Sequence, residues 1–154
     1  MTSRAERMLE EFRRHGMKVT PQRQLLCTLV AEASDHPTVE AVYARASERM
    51  ATISLKTVYT TLGELAELGC IRLVSFGSGG LRVDPDPSPH AHLVCRHCGR
   101  VVDQPLHHDS GSLLAKAQDL GFEVEEQDVI YRGRCVHCRR RDVGSEESVE
   151  KRVG

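Results

Sequence analysis

Ser54-Leu-Lys-Thr-Val-Tyr-Thr-Thr-Leu-Gly-Glu-Leu-Ala-Glu-Leu-Gly69, then Ile71-Arg-Leu-Val-Ser-Phe76, Gly77-Ser-Gly-Gly80 and Leu81-Arg-Val-Asp84, is the stretch that decides the fold. Ser54 offers an N-cap oxygen, Val58, Leu62, Leu65 and Ala66 recur at helical spacing, and Gly69 supplies the stop. The two short apolar runs either side of the glycine-rich turn read as a two-stranded hairpin. Toward the N-terminus, Thr38 follows Asp35-His36-Pro37 and caps a helix with Val39, Val42, Tyr43, Ala46 and Met50 inward. Thr20-Pro21 gives an N-cap and N1 proline to a helix carrying Leu25, Leu26, Leu29 and Val30, to about Ala33. Ala5, Met8, Leu9 and Phe12 make a first amphipathic helix that Gly16 ends. Helices followed by a hairpin describe a winged helix, whose last helix enters the major groove while the hairpin touches backbone. Its outward residues are expected to be Lys56, Thr57, Tyr59, Thr60 and Thr61, a cation, a phenol and hydroxyls suited to phosphate and base edges.

Toward the C-terminus, Asp84-Pro-Asp-Pro-Ser-Pro89 has three prolines in six residues and reads as a stiff hinge. It separates a winged-helix domain, 1–83, from a second domain, 90–142. Strands are expected at His90–Val94, Arg100–Gln104, Phe122–Glu126 and Val129–Arg134. A helix at Ser112–Leu120, with Leu113, Leu114, Ala117 and Leu120 inward, is stopped by Gly121. The second domain is thus a small α/β unit and the chain as a whole α/β (α+β). Residues 143–154 lack periodicity and are expected to be disordered.

Composition excludes several classes. The 154 residues are 40% hydrophobic and 28% charged, as in a globular protein, and no apolar run approaches the ~20 residues of a membrane span. Aromatics are 4% with no Trp, which argues against a stacking platform for single strands. The N-terminus shows no secretory pattern, so a cytoplasmic location is expected, where paired cysteines are more often metal ligands than disulfides. Residues 1–83 carry 11 basic against 9 acidic residues and residues 84–154 carry 10 against 13, an asymmetry too weak to identify a DNA partner.

Two constellations carry chemistry. Cys95-x2-Cys98 and Cys135-x2-Cys138 supply four thiolates at the spacing of a closed, structural Zn2+ site, against the blander readings of redox dithiols or chance surface thiols. Cys27 and Cys70 fall among apolar positions and are expected to be buried free thiols. His90 and His92, two apart on a strand, send their imidazoles from one face. Asp103 follows on the neighbouring strand, and Asp84 and His36 are further candidates that, taken alone, read as surface residues. Imidazole with carboxylate and no thiolate suits divalent Fe, Mn or Zn.

With Thr20-Pro-Gln-Arg23, Ile53-Ser-Leu-Lys-Thr-Val-Tyr59, Leu65-Ala-Glu-Leu-Gly69, His90-x-His-Leu-x-Cys-x-x-Cys-Gly99 and Cys135-x-x-Cys138, the chain resembles the ferric uptake regulator family over nearly its whole length. The resemblance implies a homodimer with an N-terminal winged helix and a C-terminal dimerisation domain, in which a regulatory ion bridges the two. It further implies a regulatory Fe2+ or Mn2+ site of His36, Asp84, His90, His92 and Asp103. Asp103, where iron-sensing members usually carry Glu, resembles the peroxide-sensing repressors, for which His36 and His90 would be the oxidised ligands. A second histidine-rich site of some relatives is missing, since Pro89, Ala91 and Gln127 hold its usual positions. Thr60 stands where many members have Arg, the usual guanine reader, which fits the same subtype but leaves the operator open. The expectation is therefore a metal-dependent DNA-binding repressor sensing hydrogen peroxide, and not an enzyme; the alternative is an iron-responsive repressor of uptake genes. A thiol oxidoreductase would need an exposed low-pKa thiol, which zinc would silence, and a zinc-ribbon adaptor ignores the winged helix.

Overall fold

A computed structural model describes residues 1–77, 79–106 and 111–141. The chain divides into two units, Met1–Ser88 and Pro89–Gly154, so the division falls inside the proline-rich stretch.

The first unit runs α1 (Arg4–Arg14), α2 (Pro21–Glu32), α3 (Val39–Arg49), α4 (Leu55–Glu67), β1 (Arg72–Ser75) and β2 (Leu81–Asp84). Each helix starts where a hydroxyl stands ready: Ser3, Thr20, Thr38 and Ser54 each accept a backbone N–H three residues on. Such caps contribute about 0.5–2 kcal/mol apiece. Gly16 and Gly69 end α1 and α4 at φ of 69° and 68°, a conformation that disfavours any side chain. Met8, Phe12, Leu26, Val30, Val42, Leu62, Leu65 and Ile71 form the core. Arg23 ties three segments together: its guanidinium lies 4.6 Å over the Phe12 ring, donates to the Lys18 carbonyl, and grips Glu64 at 2.9 and 3.2 Å.

β1 and β2 form the antiparallel wing, with Leu73 opposite Val83. The wing is pinned to the loop before α3, because Val83 N–H donates to the Pro37 carbonyl at 2.8 Å and Arg82 to the His36 carbonyl at 3.1 Å. Asp84 is the last residue of β2 and fully buried.

The second unit contains β3 (His90–Cys95), β4 (Val101–Pro105), α5 (Gly111–Asp119) and β5 (Val129–Gly133), followed by helical residues 136–141. β3 is central, antiparallel to β4 and parallel to β5. Gly99, at φ 73°, turns β3 into β4.

Three expectations need correction here. Phe122–Glu126 is not a strand, and Phe122 is 68% exposed. Leu113, Leu114 and Leu120, expected inward on α5, are exposed at 68%, 37% and 76%. Helical spacing marks an apolar face but does not say what covers it. Residues 136–141 are helical although no helix was expected there. Cys27 is buried as expected, Cys70 only half-buried, and both are free thiols. The tail 143–154 lies outside the described residues. Among the described residues no helix is long and apolar enough to cross a membrane.

Candidate metal centres and nucleic-acid interface

The thiolate centre is a product of the β3–β5 ladder. Parallel pairing sets Cys95 opposite Gly133, and Arg96 N–H donates to the Gly133 carbonyl at 2.8 Å. The chain two residues later therefore lies over the first knuckle, where Cys135 N–H donates to Cys95 Sγ at 3.3 Å. The sulfurs of Cys95, Cys98, Cys135 and Cys138 all lie within 4.8 Å of one another. Cys98 Sγ and Cys135 Sγ are 3.7 Å apart, far from a disulfide bond. Sulfurs at ~2.3 Å from one tetrahedral zinc stand about 3.8 Å apart, so the spacing suits the ion.

Electrostatics points the same way. Backbone N–H groups of Cys135 and Cys98 hold the Cys95 thiol down to about 5, and the Cys138 N–H lowers Cys135. Burial, then the crowd of neighbouring sulfurs, pushes Cys138 up to about 12. Four sulfurs this close cannot all ionise without a cation among them, and Zn2+ is the dication these donors fit.

Two further groups carry only nitrogen and oxygen donors. In the first unit, His36 Nε2 stands 3.6 Å from Asp84 Oδ1, both residues buried, with the His36 ring edge-on to Phe76. The wing bonds to Pro37 and His36 are what bring this carboxylate to this imidazole. Asp84 Oδ1 also accepts the Asp86 N–H at 3.0 Å.

In the second unit, His90 and His92 leave one face of β3 with ring centroids 4.5 Å apart. Asp103 is the register partner of His92 on β4, and its Oδ1 lies 3.5 Å from His90 Nε2 and 3.7 Å from His92 Nε2. These separations exceed a direct hydrogen bond. They are slightly wider than the roughly 3.0–3.4 Å between neighbouring ligands on one ion with ~2.1 Å bonds. The donor set fits Fe2+, Mn2+ or Zn2+.

On α4, Lys56, Tyr59 and Thr60 are exposed and Thr57 half-buried, but Thr61 is buried at 4%. The expectation that Thr61 points outward is corrected, since it falls beside the Val58–Leu65 core stripe and is buried, although it still lines the groove shared with α2. The expected set also omitted residues from other elements. Thr20 and Gln22, at the start of α2, line with Lys56, Thr57, Thr60 and Thr61 a groove of about 350 Å³. The Thr20-Pro21 cap was the available signal, since a helix N-terminus attracts phosphate. Glu40, which accepts the Tyr59 hydroxyl at 2.6 Å, had no signal in the sequence.

A capped helical unit with a wing, followed in the chain by a thiolate-knuckled α/β unit with a nitrogen–oxygen donor group, defines a metal-dependent winged-helix transcription regulator. The chain belongs to the ferric uptake regulator family, whose model matches residues 14–132. It is 27% identical over 139 residues to the peroxide-responsive repressor PerR of Staphylococcus epidermidis, covering 87% of this chain and 89% of that protein. To the peroxide operon regulator of Bacillus subtilis it is 29% identical over 137 residues, covering 87% and 92%. Among solved structures it superposes on the ferric uptake regulator Fur of Helicobacter pylori with a TM-score of 0.71 at 18% identity, covering 88% of this chain and 93% of that one. A zinc-bound manganese uptake regulator gives 0.62 at 27% identity, covering 84% and 98%. The function that goes with this family is metal-dependent transcriptional repression.

Proposed function

We propose that this chain is a cytoplasmic homodimer that represses transcription by binding double-stranded operator DNA when a regulatory Fe2+ or Mn2+ is bound, and that hydrogen peroxide releases it. The observation that carries this reading is the Asp103 carboxylate set against the His90 and His92 imidazoles, a carboxylate and two imidazoles with no thiolate. The peroxide-responsive names of the relatives support the choice of signal.

In this reading one ion draws on His36 and Asp84 of the winged-helix unit and on His90, His92 and Asp103 of the other. The ligands then clasp the two units across Pro85–Pro89 and fix the spacing of two winged helices, which single modules with weak affinity need to engage two half-sites together. Coupling of ~1–3 kcal/mol between ion and DNA changes operator affinity ~5–150-fold. Iron(II) held by these ligands would lend an electron to break the peroxide O–O bond and recover it as the ring is oxidised. Peroxide would be the net two-electron oxidant: one oxygen would pass to a ring carbon of His36 or His90, the other would leave as water, and the oxidised imidazole would be a poorer donor. Lys56, Thr57, Tyr59 and Thr60 face the DNA. The exposed apolar side chains of the second unit, Leu113, Leu120, Phe122 and Tyr131 among them, fit a surface that a second copy covers.

DNA binding by the protein loaded with Fe2+ or with Mn2+, each with and without peroxide, tests the proposal. Peroxide should release only the iron-loaded form, with one added oxygen on His36 or His90 by peptide mass spectrometry. Release of neither form, with both histidines unmodified, would replace this reading by an iron-level sensor.

A further inference from the structure

Three elements of the winged-helix unit converge on one carboxylate. Glu40 stands in the first turn of α3, where the helix N-terminus favours an anion. Its Oε1 accepts the Tyr59 hydroxyl of α4 at 2.6 Å. Its Oε2 lies 3.5 Å from the point that a Cβ on Gly80, in the turn of the wing, would occupy. Glu40 is exposed, and so is Tyr59 at 38%, on the same helix as the exposed Lys56 and Thr60.

The chemistry of this pair is one-sided. A carboxylate only accepts, so the phenol proton is committed to Glu40. The bond holds the Glu40 carboxyl below its usual range and raises the Tyr59 phenol, so at neutral pH the acceptor stays ionised and the donor protonated. The lone pairs that this bond leaves unused, on the phenol oxygen and on the exposed carboxylate, are acceptors. A carboxylate on a face meant for DNA repels phosphate, a cost that invites a compensating contact. In the major groove, the groups that match an acceptor are the exocyclic amines, N4 of cytosine and N6 of adenine; guanine O6 and N7 and thymine O4 are acceptors themselves.

We propose that Glu40, clamped to Tyr59, is a specificity-determining residue that reads an exocyclic amine, selecting cytosine or adenine over guanine or thymine at one position of each operator half-site. This rests on the reading of α4 as the DNA-facing helix. It also answers what the absent arginine at Thr60 leaves open: readout here passes from a donor to an acceptor, with Glu40 contributed by a different helix.

The test selects duplexes from a randomised pool with the Mn2+-loaded full-length protein, then measures affinity for single base-pair swaps with wild type, Glu40→Gln and Tyr59→Phe. Wild type should prefer an amine-bearing base at one position by roughly 5- to 150-fold. Glu40→Gln, whose amide can turn a donor outward, should reduce that preference to about twofold or reverse it, with the thermal midpoint and zinc content unchanged. Tyr59→Phe should reduce it in part, since the carboxylate loses its anchor. If Glu40→Gln strengthens binding to every duplex by one factor and leaves the preference intact, Glu40 is a charge brake and the proposal fails alone. If wild type selects no sequence, the DNA-binding reading fails and takes the proposal with it.

Discussion

The two ends of β3 hold two kinds of donor group, each built by a different ladder of that one strand. At its C-terminal end, Cys95 lies in register with Gly133 of β5 and reaches the second knuckle. Near its N-terminal end, His92 lies in register with Asp103 of β4. The thiolate group is complete within its own unit, with four sulfurs within 4.8 Å of one another. The nitrogen–oxygen group offers three donors from the same unit, His90, His92 and Asp103, and the Asp103 side chain is 46% exposed. Four soft donors close around zinc and leave no open position, which is the arrangement of a permanent structural ion. Three harder donors leave coordination open, which is what an exchangeable, reporting ion needs.

That contrast can be broken experimentally, and the largest effect should come from the thiolate end. Cys98→Ser should release zinc, seen by a chromogenic chelator, and abolish the cooperative melt of the second unit. Structural zinc contributes apparent folding free energies of ≈10–16 kcal/mol in small domains. Equal melts with and without zinc would mean that the two ends of β3 do not differ in kind. Asp103→Ala should leave zinc content and the melt in place but weaken metal-dependent DNA binding ~5–150-fold. Loss of zinc in that variant would show that the two groups are not independent.

A smaller effect concerns a thiol outside the cluster. Burial pushes Cys27 up to about 12, whereas the backbone donors at the knuckle pull Cys95 down to about 5. A thiol raised in the folded state gives stability that is present below its unfolded pKa near 9 and lost as pH climbs toward 12. The first unit should therefore lose stability between pH 9 and 12, and Cys27→Ala should flatten that part of the pH profile in a denaturant titration. Identical slopes in both proteins would remove the contrast. The smallest effect is Arg23→Lys, which keeps the charge but loses the forked grip on Glu64 and the stacking on Phe12. It should cost about 1–2 kcal/mol of chemical stability without altering either metal.

Much of this was legible in the chain because local chemistry specified it. The caps Ser54 and Thr20, the stops Gly16 and Gly69 and the paired C-x2-C knuckles each act within a few residues, and the helices and turns followed. Asp103 was legible for a similar reason: a hairpin bent at Gly99 returns it to His92. What was not legible depends on partners distant in sequence or absent from the chain. The alternating segment Phe122–Glu126 reads as a strand but pairs with none among the described residues. The α5 stripe had no visible cover, and the Glu40–Tyr59 bond joins residues 19 apart on different helices. Thr61 reads as outward because it carries a hydroxyl, whereas the helical phase buries it while leaving it in the lining of the groove beside α2.

Parallel pairing of β3 with β5 also dictates an order of assembly. A hairpin can bring β4 back within a few residues, but β5 must arrive after a crossover that holds α5. Contacts so far apart along the chain form late, after loop closure has been met. During synthesis, the pair Cys95 and Cys98 therefore emerges and can capture metal with two sulfurs before Cys135 exists. Completion of the knuckle then becomes the final step that locks the sheet, so zinc supply should set the pace at which this half of the chain matures.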